Sequence, residues 1–255
     1  MISKATVFQS ASSSRPCWVD QCLDSVQDWS ARQGFQYRFV DDTLFDSIDP
    51  ALRTKIAARK PILADLARLD LLTHHLATGH EASVAIWVDA DTLCLDPNWT
   101  PDFARMGEFG GGFGEECWVQ QDSRNQWRRF FTPHNAFMIF TRESVVLPFL
   151  RQLAISIIRR ADADHIAPQM VGPKLLKALH SLSNFGLFPE AGALSPALLR
   201  EIEVGHGPAI ACYRGGHRPS LKMVNLCASL VSDDESVKRV QQVIADPNSL
   251  ECLVR

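Results

Sequence analysis

Apolar positions along the chain follow two periods, and their alternation sketches the elements. Ala5–Gln9 is a short apolar run of strand type, followed by a Ser-rich loop from Ser10 to Ser14. Trp18, Cys22, Val26 and Trp29 then recur at helical spacing and predict a helix from Pro16 to about Gln33. Phe35 to Val40 alternates apolar and polar residues as a strand does, ending on Asp41-Asp42, so the chain opens as β-α-β. Pro61 suits a first helical turn, and the next helix is expected from Ile62 to about Thr78, stopping at Gly79. Val84 to Val88 is a continuous apolar run between polar flanks, the pattern of a strand covered on both faces, with Asp89 at its C-terminal end. Beyond it the pattern predicts a strand over Asn135–Thr141, a helix over Glu143–Arg160 and a helix over Gly172–Ser183 opened by Pro173. A short strand over Ala209–Tyr213 and a last helix over Asp233–Ala245, with Ser232 as its N-cap, complete the reading.

Strands alternating with helices imply an α/β architecture with a mostly parallel, Rossmann-like central sheet flanked by helices. The 255 residues suffice for one large core and are read as a single domain, residues 1–255. There is no internal repeat or low-complexity tract, and Gly110-Gly111-Gly112 is too short to be a linker. A formal net charge of −3 supplies no positive field for nucleic acid or anionic lipid, so neither is an expected partner. The seven cysteines include no C-x-x-C pair and read as reduced thiols of a cytoplasmic protein. Met1 to Phe8 lacks the apolar block of a signal peptide. No window approaches the ~20 apolar residues of a membrane helix. A soluble protein is expected, compatible with peripheral contact at a membrane edge.

In an open α/β sheet, ligands bind beyond the carboxyl ends of the strands, which is where Asp89-Ala90-Asp91 falls. In extended backbone, residues i and i+2 point to one side, and two hard oxygen donors there suit Mg²⁺ or Mn²⁺ on a diphosphate. The tripeptide alone proves little, because the Asp content yields about one chance match. Asp162-Ala163-Asp164 repeats it in a polar stretch after a helix and reads as a solvated surface turn. What distinguishes Asp89 and Asp91 is the apolar strand before them and Leu93-Cys94-Leu95 after them. Asp65 and Arg68 lie on one face of the preceding helix at i, i+3, a spacing that by itself is better explained by a surface ion pair.

Taken together, Lys60-Pro61-Ile62-Leu63-Ala64-Asp65-Leu66-Ala67-Arg68-Leu69 and Ile86-Trp87-Val88-Asp89-Ala90-Asp91-Thr92-Leu93 resemble the sugar-binding region of the DXD-type glycosyltransferases. That group includes initiating mannosyltransferases, polysaccharide-assembling enzymes and glucosylating-toxin catalytic domains. The family has a short double-glycine turn before its DXD strand, where this chain has the longer Gly79-His80-Glu81-Ala82-Ser83. Asn135-Ala136-Phe137-Met138-Ile139-Phe140-Thr141 is similar to the family's Asn-Ala-Phe strand, and Val171-Gly172-Pro173-Lys174-Leu175-Leu176 to its Gly-Pro helix start. The resemblance thus covers about residues 55 to 180. It implies a GT-A-like fold and transfer of a sugar from a UDP- or GDP-sugar to a glycan or other hydroxyl acceptor, with Mn²⁺ or Mg²⁺ and with retention. It further implies that Asp65 and Arg68 contact the nucleoside, Asp89 the ribose or metal, and Asp91 the metal and diphosphate. Phe8, Gln9, Asn135 and Gly172 complete the expected donor site, and Asp89 and Asp91 are the expected catalytic pair.

Farther along, His217 and Lys222 follow Arg214-Gly215-Gly216, where glycines permit close backbone approach to a ligand. A histidine there suits a third metal ligand and a lysine suits phosphate charge, and the pair is similar to the late His and Lys of the glycogenin-like branch. His206, between Gly205 and Gly207, is its rival for the metal; His74, His75 and His180 read as structural. Glu115-Glu116 reads as a charged loop that can also meet an acceptor hydroxyl, and Trp118, Trp127 and Tyr213 are candidates for stacking on sugars. Two other readings compete. Ile86 to Leu93 also fits a haloacid-dehalogenase phosphohydrolase, with Asp89 as nucleophile, Asp91 as general acid and Asp233-Asp234, at the expected start of a helix, as an available late acidic pair. A catalytically inactive sugar-nucleotide binding protein is the third.

Overall fold

The computed structural model describes residues 4–79, 83–162, 167, 170–183, 185–216 and 218–254. Strand β1 (Ala5–Ser10), helix α1 (Cys17–Arg32) and strand β2 (Gln36–Val40) form the opening β-α-β unit. A short helix α2 (Pro50–Lys55) and the long α3 (Lys60–Thr78) lead to β3 (Val84–Val88). Strands β5 (Gly111–Gln121), β6 (Trp127–Thr141) and β7 (Gly186–Phe188) extend the sheet in the order β2-β1-β3-β6-β5-β7. β6 pairs antiparallel with both neighbours while the other pairings are parallel, so one strand runs against the rest.

All of β3 is buried because both faces of the sheet are covered. Ala85 and Trp87 pack with the apolar sides of α3, α4 (Val146–Arg160) and α5 (Pro173–Ser183), whereas Val84, Ile86 and Val88 pack with Val26 and Trp29 of α1. This two-sided burial, at roughly 1.5–3 kcal/mol for each large apolar side chain, fixes where β3 ends and therefore where Asp89 emerges.

A smaller sheet lies beside the first. It joins β4 (Thr92–Cys94), β9 (Met223–Asn225) and β8 (Ala191–Ala193) in the order β4-β9-β8. A further apolar cluster unites the first turns of α1 with α6 (Pro196–Ile202), α7 (Pro208–Arg214), α8 (Asp234–Ala245) and the Cys117/Val119 face of β5.

Several expectations are corrected here. Ala209–Tyr213 is helical, part of α7, because Pro208 occupies its first turn and the Glu201 carboxylate accepts from the amides of Ala209 (3.1 Å) and Ile210 (2.9 Å). Helix α8 is capped by Asp233 in place of Ser232, in a reciprocal capping box with Ser236. Helix α4 starts at Val146, later than expected, and the Ser144 hydroxyl accepts from the Leu147 amide at 3.2 Å. Gly111 and Gly112 open strand β5, where a Cβ on Gly112 would stand 2.6 Å from the Phe188 ring and 2.9 Å from the Gly186 carbonyl. The expected loop at Glu115-Glu116 is therefore strand, and the predicted strand at Asn135 begins eight residues earlier, at Trp127. No helix among the described residues is long and apolar enough to cross a membrane.

Candidate active site

The β3 ladder runs on to Asp89, whose amide donates to the Ala136 carbonyl of β6 at 2.8 Å. The chain then turns: the Thr92 amide donates to the Asp89 carbonyl at 3.0 Å. Asp89 and Asp91 are thus held across a tight turn and not along extended backbone, and each carboxylate is fixed from a different side. Gln9, fully buried on β1, reinforces the turn by donating to the Asp89 carbonyl at 3.2 Å while accepting from the Tyr37 hydroxyl at 3.1 Å.

On one side stands α3. Arg68 and Asp65 are buried, and one Arg68 nitrogen donates to Asp89 Oδ1 at 2.9 Å and to the Asn135 carbonyl at 3.0 Å. A second Arg68 nitrogen lies 3.4 Å from Asp65 Oδ1, and the guanidinium sits 5.2 Å from the Trp87 ring centroid. Trp87 itself donates to Asp89 Oδ1 at 2.6 Å. Asn135 closes the circuit through its side-chain amide, which donates to Asp65 at 2.8 Å. Burial pushes the Asp65 carboxyl up to about 6, against the pull of Arg68 and Asn135. Gly172 fits here by its lack of a side chain, since a Cβ would stand 2.8 Å from Asp65 Oδ2. The expected i, i+3 pair therefore exists, but it faces inward and steadies Asp89.

On the other side stands the small sheet. Asn225 of β9 donates to Asp91 Oδ1 at 2.6 Å, and the Ala228 amide donates to Asp91 Oδ2 at 2.7 Å. Cys227, between them, takes a left-handed backbone (φ 52°) that brings the Ala228 amide round to the carboxylate. Burial, and then the nearby charge of Asp89, raise the Asp91 carboxyl above its ordinary range.

Both carboxylates open onto a cleft of about 620 Å³. Lys174 and Lys177 of α5 line it as well and bring positive charge to the same cleft. Glu116 of β5 lines it too, and burial lifts its carboxyl to about 7. His134 forms part of the floor. Its Nδ1 accepts from the Ala136 amide at 3.2 Å, which leaves Nε2 to donate to the Ala191 carbonyl at 2.9 Å; burial lowers its pKa to about 4, so the ring is held neutral.

Other expected residues lie elsewhere. The Phe8 side chain is packed into the core, edge-on to His75, and offers nothing to a ligand. Lys222 pairs with Asp96 at 2.9 Å and does not line the cleft. His217, with Asp164 of the second Asp-x-Asp, lies outside the described residues. His206 is exposed in the turn between α6 and α7 and His180 packs on Phe185. Of the three aromatic candidates Trp118 reaches the cleft, whereas Tyr213 is buried and Trp127 packs against the core beside it. Sequence reasoning missed Asn225, Lys174 and Lys177; the lysines follow the Gly172-Pro173 helix start, which was the available signal.

Among the described residues no three His, Cys, Asp or Glu side chains form a metal cluster. Two carboxylates do suit a hard cation that takes its remaining ligands from phosphate and water, as Mg²⁺ usually does. Asp89 Oδ2 accepts no hydrogen bond from the described residues, and a cation would offset the repulsion that raises Asp91.

No family model and no curated protein matches the sequence. Among solved structures, the chain is similar to a glycosyltransferase involved in the glycosylation of the major capsid of PBCV-1, with TM-score 0.52, 9% identity, 93% of this chain and 98% of that chain covered. The galactosyltransferase LgtC with donor and acceptor sugar analogs aligns at TM-score 0.47 and 10% identity, over 94% of this chain and 95% of that one. Mouse xyloside xylosyltransferase 1 aligns at TM-score 0.47 and 10% identity, over 90% and 100%. The fold is α/β of the GT-A glycosyltransferase type.

Proposed function

We propose that the chain is a metal-dependent glycosyltransferase, a single GT-A-like domain that moves a sugar from a UDP- or GDP-sugar to the hydroxyl of a glycan or similar acceptor, with retention. The reading is carried by the Asp89/Asp91 pair, held by separate networks at the end of β3 and lining one cleft with Lys174 and Lys177. Asp89 and Asp91 would hold Mg²⁺ or Mn²⁺, which when bound supplies positive charge to the diphosphate oxygens as the sugar departs. Arg68 and Trp87 keep Asp89 oriented, and Asn225 and the Ala228 amide keep Asp91 oriented, so little reorganisation is required at the moment of transfer. Lys174 and Lys177 favour the anionic donor in the cleft. The neutral His134 adds no charge beside them. Retention by attack from the leaving-group face needs no strong protein base.

The phosphohydrolase reading finds less support. Its late acidic partner, Asp233, is occupied in capping α8, and β3 is the third strand of the chain. Purified protein incubated with UDP- and GDP-sugars and Mn²⁺ tests the proposal. Chelator-sensitive release of UDP or GDP is expected. Phosphate release from small phosphate esters without nucleotide release would overturn it in favour of the hydrolase, and neither product would favour a binding protein.

A further inference from the structure

The two faces of the β5–β6 hairpin meet different surroundings. In its register Glu116 pairs with Thr132 and Trp118 with Phe130, and Gln120 follows on the same face two residues beyond Trp118. Alternation sends Cys117 and Val119 to the opposite face, where both are buried in the cluster that contains Tyr213 of α7. On the β6 side of that face Phe131 is 42% exposed, with Arg218 5.2 Å from its ring centroid, and Arg129 donates to the Cys212 carbonyl at 2.9 Å. The Glu116/Trp118 face lines the same cleft as Asp89 and Asp91.

Its chemistry is unusual for an uncovered strand pair. Phe130, 41% exposed, is the cross-strand partner of the half-buried Trp118, and both rings line the cleft. Between them and the carboxylate pair lies the Glu116–Thr132 step, and Glu116 accepts no hydrogen bond from the described residues. Aromatic surfaces match the C–H faces of a pyranose, and a carboxyl, a hydroxyl and the Gln120 amide match its hydroxyls. We infer that this face is the acceptor subsite, with Trp118 and Phe130 as the stacking platform for a pyranose ring and Glu116 and Thr132 receiving the hydroxyl that is directed at the donor. The inference rests on the glycosyltransferase reading above and gives its acceptor a chemical class, a sugar-terminated molecule.

Steady-state kinetics on wild type, Trp118→Ala, Phe130→Ala and Trp118→Phe test it. The donor is the sugar nucleotide that the wild type turns over, and the acceptor probes are methyl glycosides of glucose, galactose, mannose and N-acetylglucosamine. The alanine variants should raise acceptor KM about tenfold or more. They should retain the wild-type Kd for the nucleoside diphosphate with Mn²⁺, and Trp118→Phe should restore most of the acceptor affinity. An unchanged acceptor KM overturns the subsite while leaving the glycosyltransferase reading intact. So does a loss of nucleotide affinity that matches the loss of acceptor affinity, because it assigns the platform to the donor base. A wild type that transfers sugar only to water, and binds none of the glycosides by saturation-transfer NMR, also overturns it. Absence of any sugar-nucleotide turnover removes the functional reading and the subsite together.

Discussion

One nitrogen of Arg68 donates both to the Asp89 carboxylate, at 2.9 Å, and to the Asn135 carbonyl, at 3.0 Å. A single guanidinium thereby ties helix α3 to the end of β3 and to β6. Because Arg68 is buried, removing it leaves Asp65 and Asp89 without their shared counter-charge. Arg68→Ala should cost about 3 kcal/mol or more of folding stability. Arg68→Lys should recover only part of it, since an ammonium cannot serve the same fork of acceptors. Urea unfolding is the measurement, and a midpoint unchanged in Arg68→Ala would show that the network does not stabilise the fold.

Asp91 accepts from two donors at once. In Asp91→Asn one amide oxygen replaces two carboxylate oxygens, and its NH₂ meets a donor that the carboxylate accepted. Mn²⁺-dependent nucleotide release should fall by about a hundredfold or more. A Mn²⁺ titration that brings the variant back to the wild-type rate would contradict the assigned role.

Charge on the cleft wall comes from α5. Lys177→Ala should weaken nucleoside diphosphate binding about fivefold, or about 1 kcal/mol, and reduce its sensitivity to salt. Lys222→Ala breaks a half-exposed pair with Asp96 outside the cleft, worth about 0–1 kcal/mol, and should leave that affinity as it was. Calorimetric titrations at two salt concentrations separate the two, and the reverse ranking would restore Lys222 to the site.

Glu116 makes the metal-free protein sensitive to pH. Its carboxyl is raised from an ordinary 4.5 to about 7 in the folded state, so the unfolded chain loses this proton first. Stability from this group is therefore lost as pH rises from about 4.5 through 7, and levels off above. Asp65 acts in the same direction, raised to about 6, so the contribution of Glu116 is read by difference. With chelator present, Glu116→Gln should show a flatter melting temperature than wild type between pH 5 and 8. Parallel curves for the two proteins would refute it.

Gly172→Ala places a methyl group 2.8 Å from Asp65 Oδ2, where the buried carboxylate is already held by Asn135. A loss of about 1–3 kcal/mol is expected from this overpacking. Thermal unfolding decides it, and a variant as stable as wild type would mean that the start of α5 can shift away from α3.

Amphipathic period and strand-end chemistry made β1, α1, α3 and β3 legible, because each of those segments buries its own apolar residues in a sheet covered on both faces. The hairpin was not legible in the same way. Glu115, Glu116, Gln120 and Gln121 dilute the alternation of β5, and its pairing with β6 is decided by the partner strand. Ala209–Tyr213 failed for a related reason. Its apolar run fits strand or helix, and the carboxylate of Glu201, distant in period but near in space, selects the helix.

The sequence by itself determined that an apolar strand delivers Asp89 and Asp91 to its carboxyl end and that a helix bearing Asp65 and Arg68 precedes it. Only the tertiary structure decided that Arg68 turns inward to hold Asp89, that Asn225 holds Asp91, and that Lys174 and Lys177 line their cleft while Lys222 does not. The reason is physical: periodicity reports which face of a segment is buried, whereas these contacts join residues 21 and 134 positions apart and depend on how packed elements meet.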